Sequence, residues 1–299
     1  MREPPDGVSR ADVLDAVRRG WDDDVNRVEH LPVGFGAHHW AAYVDGTRRL
    51  FVTYDEPKQD SMTHLESAYA AARALHDGGL EFVLAPLLAR SGRVTEPFAR
   101  GALSCSPWRD GTSEEPLDVE WTVAALGRLH AAAPPPEIPG WRPRMTADFA
   151  SRTARLTERR WGPGPHADAA RDAVRRRLDD LERWTSRYHR LADVARQRPW
   201  VVNHGEPHFA NQLQTAGARY LVDWDTLKLA PPELDLQILV DAGMSPEAVG
   251  ADPEMLELFD LEWRLDEISQ YAAWFAAPHT GTEDDRIAFG GLLHELERP

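Results

Sequence analysis

The sequence predicts an α+β fold of two lobes: a β-rich N-terminal lobe carrying one helix over residues 1–105, and a larger, mostly helical lobe over residues 106–299. Three observations predict it. Short alternating apolar segments bounded by turn residues crowd the first third of the chain. Apolar periodicity of the helical kind dominates the rest. A chain of 299 residues that is 42% hydrophobic and 28% charged has enough apolar surface for a sizeable core and about two domains.

The elements follow in order. Ser9 is placed to cap a helix over residues 11–21, with Asp12 near the positive end of its dipole. Asp22, Asp23 and Asp24 read as a solvated turn. Residues 30–44 are β-rich, Asp45-Gly46 supplies a hairpin turn, and residues 49–54 alternate as a strand. A helix over residues 62–76 carries Glu66. Residues 82–87 and 101–106 read as two further strands, the second broken by the run from Pro107 to Gly111. Residues 121–132 have helical periodicity, ended by three prolines. Residues 167–196 form a long Arg/Asp-laced helical region with one break, most simply a solvated face. Two short apolar runs at 200–202 and 220–222 precede helices over 253–276 and 284–297. The expected order is thus one helix, five strands around a second helix, and a helical half interrupted by a short β element. A ligand would lie in the cleft between the lobes.

Charge narrows the function classes. Lys+Arg number 34 against 49 Asp+Glu, a net charge of -15, which disfavours nucleic acid or an anionic membrane as partner and favours cationic ones. Cys105 is the only cysteine, so an intrachain disulfide and a cysteine-built zinc site are excluded. With no apolar run of about 18 residues and no leader pattern, the expected location is a reduced cytoplasm. Lys58 and Lys228 are the only lysines, so any role needing an ammonium has two candidates.

The segment from Val201 to Leu236 carries the chemistry. It holds His204-Gly205-Glu206-Pro207-His208-Phe209-Ala210-Asn211, then Val222-Asp223-Trp224-Asp225, then Glu233-Leu234-Asp235. A carboxylate and, five residues on, an amide follow one apolar run; a second carboxylate, Asp223, follows the next. Phosphoryl transfer needs such a set: one carboxylate to orient or deprotonate the attacking hydroxyl, and an amide oxygen with a second carboxylate to hold Mg²⁺ on nucleotide phosphates.

These residues resemble the aminoglycoside phosphotransferase family, which has a protein-kinase-like bilobal fold. Residues 204–211 match its His-Gly-Asp-x-x-x-x-Asn catalytic loop, residues 222–225 its metal-binding segment, and Asp235 an aspartate that braces the loop. The pattern is closest to an actinobacterial-type subgroup that reads His-Gly-Glu-Pro-His. The resemblance spans roughly residues 25–275 and is strongest over 201–240. It implies Glu206 as catalytic base, Asn211 and Asp223 as catalytic Mg²⁺ ligands, and His204 as support of the loop. Asp225 is either a second metal contact or phosphate-side acid, or a hydrogen-bonded turn residue. The implied cofactors are Mg²⁺ and ATP or GTP. In the N-terminal half the resemblance places Gly34 and Gly36 in a Gly-rich hairpin over the phosphates, Glu66 at the glutamate of the N-lobe helix, and Ser104, Cys105 and Ser106 at the linker facing adenine.

Three departures stand out. The third-strand lysine that binds phosphates and pairs with the helix glutamate is Thr53 here, which leaves Glu66 without that partner. The base is Glu206 rather than Asp, and Pro207 stiffens the loop after it. His38 and His39, at the hairpin, are candidate phosphate contacts against a plain packing role. Glu262 and Asp266, four apart on one predicted helix, offer a cationic acceptor a charged face unless they are simply solvated. Three functions follow: a phosphotransferase acting on a hydroxyl of a small, amine-bearing molecule; a catalytically impaired kinase-like binding protein; or a kinase-like enzyme or partner acting on Ser/Thr of a natural-product peptide.

Overall fold

The computed structural model describes residues 4–34, 37–56 and 61–298. Their packing defines two compact units, Met1–Gly140 with Trp200–Gly243, and Trp141–Pro199 with Met244–Pro299.

The first unit begins with α1 (Arg10–Gly20), closed at its N-terminus by a reciprocal Ser9–Asp12 capping box. Then β1 (Arg27–Leu31), β2 (His38–Val44) and β3 (Thr47–Asp55) form an antiparallel meander. Asp45 and Gly46 both take left-handed backbone, φ 48° and 82°, the twist a two-residue hairpin requires. After α2 (Ser61–Asp77), β4 (Glu96–Phe98) and β5 (Gly101–Pro107) complete a five-stranded sheet in the order β1-β2-β3-β5-β4. The expected strand over 82–87 is not among them. Phe82, Val83, Leu84 and Ala85 are buried as irregular chain, with one bridge from Val83 to Leu221. A short apolar run registers burial and not the ladder that provides it. The fifth strand is β4, whose Pro97 fits only at a sheet edge.

Side chains alternate along β3. Leu50, Val52 and Tyr54 enter a core with Val13 and Val17 of α1, Trp40, Leu103 and Cys105. Phe51, Thr53 and Asp55 point to the other face and are half-buried. Thr53 lies directly opposite His39 on β2 and Ser104 on β5.

After α3 (Val119–His130), the chain gives α4 (Phe149–Glu158), α5 (Ala167–Arg176) and α6 (Leu178–Ala195) to the second unit; Arg177 is the break expected in the long helical region. It returns to the first unit with β6 (Val201–Asn203), β7 (Gln212–Gln214), β8 (Arg219–Leu221), β9 (Lys228–Ala230) and α7 (Glu233–Asp241), pairing β6 with β9 and β7 with β8. The second unit ends with α8 (Pro246–Val249), α9 (Pro253–Ala276) and α10 (Glu283–Glu297), with α9 packed against α5, α6 and α10.

Candidate active site

The loop after β6 is held from below. Asn203 donates its side-chain amide to the carbonyls of Val201 and Ala230, locking β6 to β9 where the loop departs. Fully buried Asp235, near the start of α7, accepts the backbone N–H groups of His204 (2.9 Å) and Gly205 (2.7 Å) and lies 3.2 Å from His130 Nε2. The Thr226 hydroxyl donates to the His204 carbonyl at 2.7 Å. The His204 ring accepts the Glu206 N–H at Nδ1 (3.2 Å) and therefore donates from Nε2 to the Val222 carbonyl (2.9 Å). Burial lowers its pKa and keeps it neutral, as that bonding pattern requires.

Gly205 has φ 98°, and a Cβ there would lie 2.9 Å from Thr226 Oγ1 and 3.0 Å from the Thr226 carbonyl oxygen. Only glycine fits both the angle and the space. Gly205→Ala is therefore expected to destabilise the protein by about 2–3 kcal/mol, read as a lower urea midpoint with an unchanged slope.

This framework presents Glu206, half-buried, beside a buried Pro207. A single 3-10 turn, Phe209–Asn211, brings Asn211 back beneath it, and Asn211 Nδ2 donates to the Glu206 carbonyl at 2.9 Å. With Nδ2 so committed, Oδ1 is the ligating atom Asn211 has to offer. The Val222 N–H donates to the Asn211 carbonyl at 3.0 Å, so loop and metal segment are joined directly. Asp223 follows with left-handed backbone, φ 67°, a conformation Asp and Asn tolerate better than most residues. Trp224 is buried, its indole N–H on the Leu221 carbonyl (3.0 Å) and its ring 4.5 Å from that of His204.

The same recess holds a carboxylate that the sequence reading did not single out. Asp55 ends β3 two residues beyond Thr53 on the same face, and the Tyr69 hydroxyl approaches it at 3.4 Å. Burial, then the charge of Asp225, pushes Asp55 up to about 7. Burial, then Asp223 and Glu206, pushes Asp225 up to about 7, while Lys228 opposes the rise. Burial, then Asp55 and Glu206, pushes Asp223 up to about 6; its side chain is surrounded by protein yet open to solvent at the mouth of the recess. Four carboxylates thus crowd one recess. The strand's two-residue alternation could have exposed Asp55, since any residue sharing a face with Thr53 shares its surroundings.

A consequence is testable. In the folded, metal-free protein Asp55 binds a proton between about pH 4 and 7 that the unfolded chain does not. Its ionisation therefore removes stability as pH rises through that window, by at most about 1.4 kcal/mol per pH unit. Asp55→Asn should be more stable than wild type at pH 8 in EDTA, with the gain vanishing toward pH 4, measured by thermal melting across pH.

The donor set suits Mg²⁺. Asn211 Oδ1 and the Asp223 carboxylate are hard oxygen ligands, and a divalent cation would relieve the mutual repulsion of the acids. Among the described residues no three His, Cys, Asp or Glu side chains form a ready-made metal-binding group. Mg²⁺ on a nucleotide needs only one or two protein carboxylates, because waters and phosphates complete its shell.

Other predicted residues are placed as follows. Gly34 takes φ 74° in the hairpin between β1 and β2; Gly36 and Lys58 lie outside the described residues. Thr53 Oγ1 is 3.3 Å from His39 Nδ1. The expectation that Glu66 is left without a partner is corrected. It accepts the backbone N–H groups of Val94 (3.1 Å) and Thr95 (2.9 Å) and the Thr95 hydroxyl, with Arg93 at 3.7 Å, and so ties α2 to the approach to β4. Ser104, Cys105 and Ser106 are strand residues paired with Thr53, Val52 and Phe51, and not linker. The Cys105 carbonyl accepts from Leu87 N–H, and burial pushes its thiol up. In the second unit Glu262 is buried, accepting the Trp141 indole N–H (3.0 Å) and the Tyr188 hydroxyl, while Asp266 pairs with Arg144 at 3.1 Å. The two acids share a helix face, and their oxygens are engaged by this chain's own donors. Among the described residues no helix is long and apolar enough to cross a membrane.

Comparison with known proteins places this geometry. The chain is 31% identical over 262 residues to Protein StrN of Streptomyces griseus, a match covering 81% of this chain and 80% of that protein. Its fold is similar to that of a spectinomycin phosphotransferase solved with ADP and spectinomycin, at a TM-score of 0.74 and 15% identity, over 98% of this chain and 96% of that one. It is also similar to an amicoumacin kinase solved with AMP-PNP, Ca²⁺ and Ami, at a TM-score of 0.56 and 14% identity, over 97% and 93% of the two chains. The fold, a five-stranded antiparallel sheet followed by a mostly helical part, is the kinase-like one. Residues 28–276 match the model of the phosphotransferase enzyme family, and the chain belongs to that family.

Proposed function

We propose that the chain is a Mg²⁺-dependent kinase that transfers a phosphoryl group from ATP to a hydroxyl of a small, amine-bearing molecule. The observation that carries this reading is the loop from His204 to Asn211. Asp235, Thr226 and His204 fix its backbone, so that Glu206 and Asn211 are presented beside Asp223. Positioning and electrostatics supply nearly all of phosphoryl-transfer catalysis, and a rigid loop supplies positioning. Glu206 orients the acceptor hydroxyl and takes its proton. Asn211 and Asp223 hold the metal, and Asp225 lies beside them. The metal, when bound, neutralises phosphate charge. His204 stays neutral and bears the loop.

For the acceptor, the net charge of -15 favours a cationic molecule, and the spectinomycin and amicoumacin kinases of the same fold act on antibiotics. Aminocyclitols and aminoglycosides are the first class to screen, by mass shift after incubation with Mg²⁺ and ATP or GTP. On an acceptor so found, Glu206→Gln is expected to lower kcat about 10²–10⁴-fold while leaving nucleotide affinity within about threefold. A Gln variant as active as wild type would remove Glu206 from the base role.

A second reading rests on Thr53. Its partner is the neutral His39, so no cation stands at that point of the strand. A protein that binds nucleotide without turning it over would show Mg²⁺-dependent ATP binding and no product with any acceptor.

A further inference from the structure

The start of β2, facing β3 and Gly34, carries a further polar device, which rests on the nucleotide reading above. His39 lies directly opposite Thr53, on the sheet face that also bears Asp55. Its Nδ1 is 3.3 Å from Thr53 Oγ1, and its ring packs on Phe51 with centroids 4.9 Å apart. On the ring's far edge, Nε2 lies so close under Gly34 that a Cβ built on that glycine would come within 2.8 Å of it. The imidazole therefore meets a hydroxyl at one nitrogen and Gly34 at the other.

We infer that His39 Nε2–H is the phosphate-facing donor of this site, in the tautomer whose Nδ1 accepts from the Thr53 hydroxyl. A neutral imidazole carries one ring proton, and with Thr53 Oγ1 as donor to Nδ1 that proton is on Nε2. Burial pushes His39 down to about 4, so the ring enters the site neutral, with a single donor. Asp55 stands about 7 Å further along the strand, so a polyphosphate drawn to a cation at Asn211 and Asp223 also passes a carboxylate. A donor under the hairpin is what that face must supply for the anion to bind. Gly34, lacking a side chain, lets a phosphate oxygen and the imidazole approach each other. The ligand class is a nucleoside di- or triphosphate, recognised through its phosphates and not its base.

The test separates phosphate recognition from recognition of the nucleoside. Mg²⁺ with ADP, and separately adenosine, are titrated calorimetrically into the full chain and its variants. His39→Ala should weaken ADP about tenfold to a hundredfold, the loss of one charge-assisted hydrogen bond, and leave adenosine within about twofold. His39→Gln, which keeps an N–H near Nε2, should recover ADP affinity to within about threefold of wild type. Thr53→Val should weaken ADP a few-fold and adenosine not at all. Equal ADP affinity in His39→Ala and wild type would overturn this inference while leaving the nucleotide reading intact, as would a parallel loss of ADP and adenosine. Failure of the wild type to bind ADP at all would overturn both. Should His39→Ala not fold, imidazole ¹⁵N spectra of the wild type decide the matter. The His39 Nε2 resonance moves with Mg²⁺ and ADP and stays put with adenosine if the inference holds; no movement with ADP overturns it.

Discussion

Asp223→Asn is expected to lower Mg²⁺-dependent turnover by at least about 10³-fold without destabilising the protein. The two halves of that expectation have separate physical causes. Asparagine tolerates left-handed backbone as well as aspartate does, so the φ of 67° at this position survives the exchange. The charge does not survive, and with it goes the one carboxylate that follows β8 directly into the recess beside Asn211. Removing a negative charge from a group already pushed up to about 6 by burial and by Asp55 and Glu206 relieves repulsion. Metal-free Asp223→Asn should therefore melt at or above the wild-type temperature at pH 8. A variant that loses activity and melts lower at pH 8 would point to a structural role for Asp223, contrary to the electrostatic account.

Asp235→Ala is expected to cause the largest loss of stability of any single change at the site, about 3–5 kcal/mol. Asp235 is fully buried and accepts two backbone N–H groups of the loop, with His130 as a third neighbour. Truncation leaves both N–H groups without that acceptor, the His204 one in the buried interior and the Gly205 one partly buried. Urea unfolding gives the magnitude. A loss below about 1 kcal/mol would mean that the loop carries its own shape, and that the bracing assigned to Asp235 is incidental.

How far the site was legible in the sequence differs from one segment to the next. The loop from His204 to Asn211 was legible because its chemistry is local: residues a few positions apart meet each other through one turn, and their spacing records it. The helices over 253–276 and 284–297 were legible for the same reason, since Asp252 and Thr282 cap them and acids stand in their first turns, signals that are local too. Asp55 was not, because its neighbours Asp223 and Asp225 are about 170 residues away in sequence and nothing near Asp55 marks them. Only the parity it shares with Thr53 linked it to the site. Glu66 failed the other way. Read through the missing lysine, it had no partner, yet backbone N–H groups of Val94 and Thr95 satisfy it, and backbone donors leave no trace in residue identity. The buried run at residues 82–87 shows the same limit, since its burial was legible and its hydrogen bonding was not. Short β7 and β9 and helix α4 had too few residues or too polar a sequence for a period to show.

The substitution of Thr53 for a lysine is where these threads meet. A neutral Thr53–His39 pair stands opposite the hairpin, and four carboxylates crowd the recess beyond it. A site so charged accepts a polyphosphate only with its metal, so nucleotide affinity and metal concentration must be coupled. The most direct test is calorimetric titration of ATP into the full chain with Mg²⁺ and with EDTA, repeated on Asp223→Asn. The account predicts binding in the presence of Mg²⁺, none in EDTA, and loss of the Mg²⁺-dependent binding in the variant. Binding that ignores Mg²⁺, or that survives unchanged in Asp223→Asn, would contradict it.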